Sequence, residues 1–203
     1  MKKIIVPLLA GVVLAGALFA SLNYLYPQST WIPGQPEVIA EDPHAYHVHS
    51  DFAVYIDGQK FNFAQEKYMT STDVCHSEFH AQKLHLHDMN ADVAHVHEAG
   101  HSWKDFFTSL GFEFTDNRLK IDEGKVYAND GQKKWRFFVN GTEVPSIQDY
   151  QFHDLDQVLL TYGNTDKQTI QTQLASVTKK ACIYSKKCPV PEGVTLPPEN
   201  CSS

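Results

Sequence analysis

The stretch His85-Leu86-His87-Asp88-Met89-Asn90-Ala91-Asp92-Val93-Ala94-His95-Val96-His97 constrains the fold more than any other part of the chain. In a β-strand, residues i and i+2 point to the same face, about 6.6 Å apart along the strand. His85 and His87 therefore share one face while Leu84 and Leu86 take the other, and the same alternation sets His95 and His97 opposite Ala94 and Val96. The residues between the pairs can turn the chain. If the two halves pair as a hairpin, four imidazoles converge on one side of it.

A third pair, His47 and His49, lies in Tyr46-His47-Val48-His49-Ser50-Asp51-Phe52-Ala53-Val54-Tyr55-Ile56, with Asp51 on the same face. The chain has 11 histidines, and because they sit as separated pairs and not as one run they are neither a purification tag nor a low-complexity tract. Imidazole is the common ligand for Zn, Cu and Ni, and a site needs three or four nitrogens at about 2.0–2.1 Å from the ion. The candidate ligands are His47, His49, His85, His87, His95 and His97. Asp51, Asp88 and Glu98 are neighbouring acids that can serve as ligands or as acceptors for the outer ring N–H. His76 and His80 flank Glu78, and His80 is a further candidate with Cys75 unless that cysteine is in a disulfide. His101 is expected to cap or pack, and His44 and His153 read as surface. A single His-x-His pair is most simply the polar side of a half-exposed strand; three pairs shift the balance towards a metal site.

The remaining elements point to an α+β domain, a mostly antiparallel sheet of short hairpins with two helices, in a β-grasp-like order of hairpin, hairpin, helix, hairpin and long-range strand. Asp57-Gly58 and Asn140-Gly141 are strong two-residue hairpin turns, between Tyr46–Ile56 and Gln59–Phe63 and between Lys134–Val139 and Thr142–Val144. Their similarity hints at a loose internal duplication. Ser102 with Asp105, closed by Gly111, predicts a helix over Trp103–Leu110. Phe112–Tyr127 reads as a strand plus turns with a break at Glu123-Gly124. Gln157–Tyr162 is apolar enough for a central strand. Thr165-Asp166-Lys167-Gln168 resembles a capping box, and Ile170, Leu174 and Val177 mark the stripe of a helix over Asp166–Lys180. The aromatic set Phe52, Trp103, Phe106, Phe107, Trp135, Phe137, Phe138 and Tyr162 reads as core.

Residues 1–26 place Lys2 and Lys3 before an uncharged, mostly apolar run, which is the layout of an export signal. A cleavable peptide would be cut after a small-residue site such as Ala15-Gly16-Ala17, whereas an uncleaved anchor would use about 20 residues to span the bilayer. Tyr24, Tyr26 and Trp31 favour the anchor, as an interfacial aromatic belt would. Residues 27–43 hold four prolines and read as a tether, 44–180 as the single domain, and 181–203 as an irregular Cys- and Pro-rich tail. The four cysteines, Cys75, Cys182, Cys188 and Cys201, suit an oxidising compartment and favour two disulfides of open connectivity. A net charge of -7 with no basic block beyond the N-terminus argues against a nucleic-acid partner.

The segments HVHSDFAVYIDG, HLHDMNADVAHVHEAGHSWKDFFTSLG, FFVNG, DLDQVLLTYGN and SVTKKACIYSKKCP, taken in this order over residues 45–190, resemble a group of uncharacterised, N-terminally anchored exported proteins of bacteria and archaea. The resemblance implies export and one domain, and it assigns no catalytic residue.

Three classes of function follow. The first is an exported, membrane-tethered module binding Zn or Cu(II). The second is a metal-dependent enzyme of hydrolase type, with three histidines on the ion, a water in the open position and Asp88 or Glu98 as base. No His-Glu-x-x-His, Gly-x-Ser-x-Gly or Gly-x-Gly-x-x-Gly signature supports it. The third is a structural envelope protein with incidental histidines. Met69 and Met89 are too few for a thioether-rich Cu(I) site, so an all-imidazole set fits Zn or Cu(II).

Overall fold

A computed structural model describes residues 46–69, 83–121 and 124–194, all within one compact unit that begins at Asp42. The expected anchor and tether, together with His44, Cys75, His76, His80 and Cys201, lie outside the described residues.

The first strand, β1 (Val48–Ile56), is the axis of the sheet. One edge of it pairs in parallel with β10 (Gln157–Gly163) over Asp51–Ile56. The other edge is divided: β4 (Val93–Val96) takes its first half and β2 (Gln59–Lys60) its last two residues, both antiparallel. β3 (Leu84–His85) adds to β4, while β8 (Lys134–Val139) and β9 (Thr142–Val144) extend the sheet beyond β10. Among the described residues this gives seven strands in the order β3-β4-β1-β10-β8-β9, with β2 paired to β1. The apolar run Val158-Leu159-Leu160 is buried because β10 is central, as expected of it.

Both glycine turns form two-residue hairpins. Asp57 and Gly58 have φ of 50° and 80°, and Asn140 and Gly141 have the same pair of values. Positive φ at both central positions is the type I′ geometry, whose twist matches that of the flanking strands and which Asp-Gly and Asn-Gly tolerate.

Alternation along β1 separates two interiors. Phe52 and Val54 enter a large aromatic cluster with Trp103, Phe106, Phe107 and Phe137. Ala53 points the other way, to Phe138, Leu159, Ile170 and Val177. Helix α1 (Trp103–Ser109) covers the first face, and its start is a capping box in which Ser102 and Asp105 satisfy each other's backbone N–H. Gly111, at φ 85°, ends it in the left-handed conformation expected beyond a helix C-terminus.

On the second face lies α2 (Lys167–Ser176). Its N-cap is Asp166, which accepts from the Thr169 N–H, and it ends earlier than the apolar stripe suggested because Val177 is extended. Val177 is buried nonetheless, from the segment that follows the helix.

The α+β class and the mostly antiparallel character hold. Two features depart from expectation. Phe112–Tyr127 is not one strand with turns but most of a separate three-stranded sheet of β5 (Glu113–Thr115), β6 (Arg118–Lys120) and β7 (Val126–Ala128). Its inward residues Phe114 and Leu119 complete the aromatic cluster. In addition, the tail is not wholly irregular: a one-turn helix α3 (Ala181–Tyr184) follows α2. Among the described residues no helix is long and apolar enough to cross a membrane.

Phe52 is fully buried where the aromatic cluster meets the sheet. Phe52→Ala is expected to lower stability by about 3–5 kcal/mol, read as a lower denaturation midpoint in guanidinium; a loss under 1 kcal/mol would contradict this packing.

Candidate metal centre

Strand register brings the three histidine pairs together. His49 on β1 is opposite His95 on β4, and His95 is opposite His85 on β3. One row of three imidazoles thus crosses three adjacent strands. Leu84 and Val96 pair on the opposite face and, with Leu86 and Ala94, join the aromatic cluster. The hydrophobic alternation therefore holds the imidazoles on the other side of the sheet, because a slip of one residue would bury the rings in the aromatic core.

The remaining three fill the gaps between rows. His47 and His97 have ring centroids 4.0 Å apart, and the His97 ring stacks on His85 at 4.9 Å. His87 is centred 3.9 Å from His95, and its Nε2 lies 3.2 Å from His95 Nδ1. Two ligands on a tetrahedral ion with bonds of about 2.05 Å are about 3.3 Å apart, so this pair is already at ligand spacing. Two groups have ligand atoms all within 4.8 Å of one another: His47, His49 and His95, and His85, His87 and His95. Either can hold a metal ion, and His95 belongs to both. His97 touches the cluster through His47 and His85 without belonging to either group.

The site is dry. His49, His85, His87 and His95 are buried, and His95 is fully enclosed. Burial, reinforced by the neighbouring His87, His49, His85 and His97, holds the His95 imidazole well below its ordinary pKa, so it is neutral at pH 7. A neutral imidazole is the form that donates a lone pair to a metal.

Two rings are oriented by hydrogen bonds from outside the cluster. His87 Nδ1 is 2.7 Å from a carboxylate oxygen of Asp88. The carboxylate accepts, so Nδ1 carries the proton and Nε2 presents its lone pair towards His95. The backbone arranges this by an uncommon turn, with Asp88 and Met89 at φ of 55° and 56°. His49 Nδ1 is 2.8 Å from Ser185 Oγ, which in turn donates to Asp154. Asp154 also accepts from the His49 backbone N–H at 3.0 Å and pairs with Lys187 at 2.6 Å.

The candidate acids separate by what they touch. Asp88 orients His87. Glu98 forms an exposed ion pair with Lys83. Asp51, buried on the histidine face, is turned to the C-terminal segment: it accepts from Thr178 Oγ1, from the Lys180 N–H at 2.8 Å and from the Ala181 N–H at 3.0 Å. Burial pushes its carboxyl pKa up, and these three hydrogen bonds oppose the rise. Asp51 thereby caps the start of α3 and pins it over the histidines. His101 lies 3.7 Å from Asp105 at the start of α1, and His153 is mostly exposed beside Asp156.

Three residues of the site went unrecognised in the sequence: Asp154, Tyr184 and Ser185. The Tyr184 ring meets His95 edge-on at 4.9 Å, and its hydroxyl accepts from Asn90 at 2.9 Å. Tyr184 and Ser185 lie inside the loop closed by the Cys182–Cys188 disulfide, so the covalent loop shapes the cover of the histidine face. That pair of cysteines was the only sequence signal for it.

Comparison of the chain with protein-family models, with curated proteins and with solved structures finds no match in any of the three.

Two expectations follow. The depressed pKa of His95 means that the unfolded chain binds more protons than the folded one below pH 6.5, so the metal-free protein loses stability as pH falls through this range. Denaturation midpoints between pH 7.5 and 5 should decline, and His95→Leu should flatten the decline; an unchanged slope would contradict the burial of a neutral imidazole. Replacing both Cys182 and Cys188 by Ser should cost about 2 kcal/mol by the loop-entropy relation, visible as an earlier denaturant midpoint than that of the oxidised parent.

Proposed function

We propose that this is an exported, membrane-tethered protein that binds Zn or Cu(II) through the histidine pairs of β1, β3 and β4. The observation that carries the reading is the gathering of six imidazoles on one sheet face, with two three-histidine groups whose ligand atoms lie within 4.8 Å of one another. Solvated histidines on a sheet would diverge and stay wet. Here His49, His85, His87 and His95 are buried, Tyr184 lies against the rings of His49, His87 and His95, and His49 and His87 are oriented by Ser185 and Asp88 in the manner of metal-bound imidazoles. The donor set is all nitrogen, which suits Zn and Cu(II).

Export is supported by Lys2 and Lys3 ahead of the apolar run in residues 4–26 and by the Cys182–Cys188 disulfide, a bond that persists in oxidising compartments. The ion then comes from outside the cytoplasm. Binding is favoured over hydrolysis because the two acids that could act as base are engaged elsewhere, Asp88 on His87 and Glu98 on Lys83.

The full chain, purified without a tag in mild detergent, is expected to retain at least one Zn or Cu(II) per chain after incubation and removal of excess metal, measured by mass spectrometry. His85→Ala combined with His87→Ala should lower that content. Retention well below one ion by the parent chain would overturn the proposal, and an exchangeable water on the bound ion, seen by X-ray absorption, would move the reading to the enzyme.

A further inference from the structure

Resting on the metal-binding reading, we infer that the histidine face holds two ions at once, with His95 shared between them. The two three-histidine groups are not alternatives drawn from one set of ligands. His47 and His49 come from the N-terminal end of β1 and its approach, His85 and His87 from β3 and its continuation, and the two pairs flank β4 from opposite sides. Only His95, in the middle of the row, appears in both. Its own ring supplies the means: Nδ1 faces His87 Nε2 at 3.2 Å, while the buried Nε2 lies across the ring from it. The His49 ring meets His95 edge-on at 4.7 Å, and the His85 ring stacks on it at 5.5 Å.

One neutral imidazole carries one lone pair and one N–H. The first ion bonds to the bare ring nitrogen. The second forms its bond at the other nitrogen as that N–H bond breaks, and the proton leaves to water; no electron is transferred. The two ions are then joined through an imidazolate, each completed by two histidines of its own. His97, in contact with both His47 and His85, is placed to contribute to either.

The test is the stoichiometry and magnetic coupling of Cu(II) in the full chain. The parent is expected to saturate at two ions per chain, with an integrated electron paramagnetic resonance signal well below two spins because the shared ring couples them. His47→Ala and His87→Ala should each retain one ion with a full one-spin signal, and His95→Gln should weaken both ions at least about tenfold, on the scale of lost metal-site contacts. Metal-free melting curves of each variant check that it folds, and the two single-ion variants test the assignment even if His95→Gln does not. Saturation at one ion overturns the shared site while leaving metal binding intact. No retained ion overturns both readings. Two ions with a full two-spin signal, or undiminished binding in folded His95→Gln, overturn the sharing alone.

Discussion

The register between β1, β4 and β3 is the constraint on which the rest of this structure depends. Side chains in a strand alternate with a period of two, so a single offset in pairing would exchange the two faces of the sheet. Here one face carries Phe52, Val54, Leu84, Leu86, Ala94 and Val96 into the aromatic interior, and the other gathers the imidazoles. Burying the apolar set decides the register, and the register then delivers the histidines to one another. The site is in this sense a by-product of the core: the free energy that fixes it comes from the opposite face.

Gathering six imidazoles also creates a problem. Protonated rings at such spacing repel, and the enclosed His95 ring resists charging in any case. A bare sheet face would let water and protons in. The C-terminal segment closes it, and the buried Asp51 carboxylate does the anchoring by accepting from Thr178, Lys180 and Ala181. Because an unsatisfied buried acceptor costs about 1–3 kcal/mol, Asp51 and this segment hold each other in place. The disulfide loop then carries Tyr184 and Ser185 onto His95 and His49. An electrostatic liability and its cover are thus built from parts of the chain as much as 136 positions apart.

Much of the fold was legible locally. The Asp57-Gly58 and Asn140-Gly141 turns, the Ser102 capping box and the apolar β10 each rest on chemistry within a few residues, and each is observed. The second sheet was not legible, because its strands are three residues long and their alternation is too brief to read. The end of α2 was misplaced because Val177 stays buried after the helix has ended. For the candidate site, the six histidines stood out by spacing alone. The role of Asp51 did not, since its partners are defined only by the return of the chain; nothing in the composition of the tail set Tyr184 or Ser185 apart, and nothing in the local sequence set Asp154 apart.

By itself the sequence determined which residues share a face: the two-residue alternation places His85 with His87, His95 with His97 and His47 with His49, whatever the strands pair with. Only the tertiary structure decided that the three pairs meet, that His95 lies at their centre, and that Asp51 serves the cover of the site. The physical reason is that alternation is a property of one extended backbone, whereas convergence depends on strand order and on a C-terminal segment folded back across the sheet, neither of which a local pattern contains.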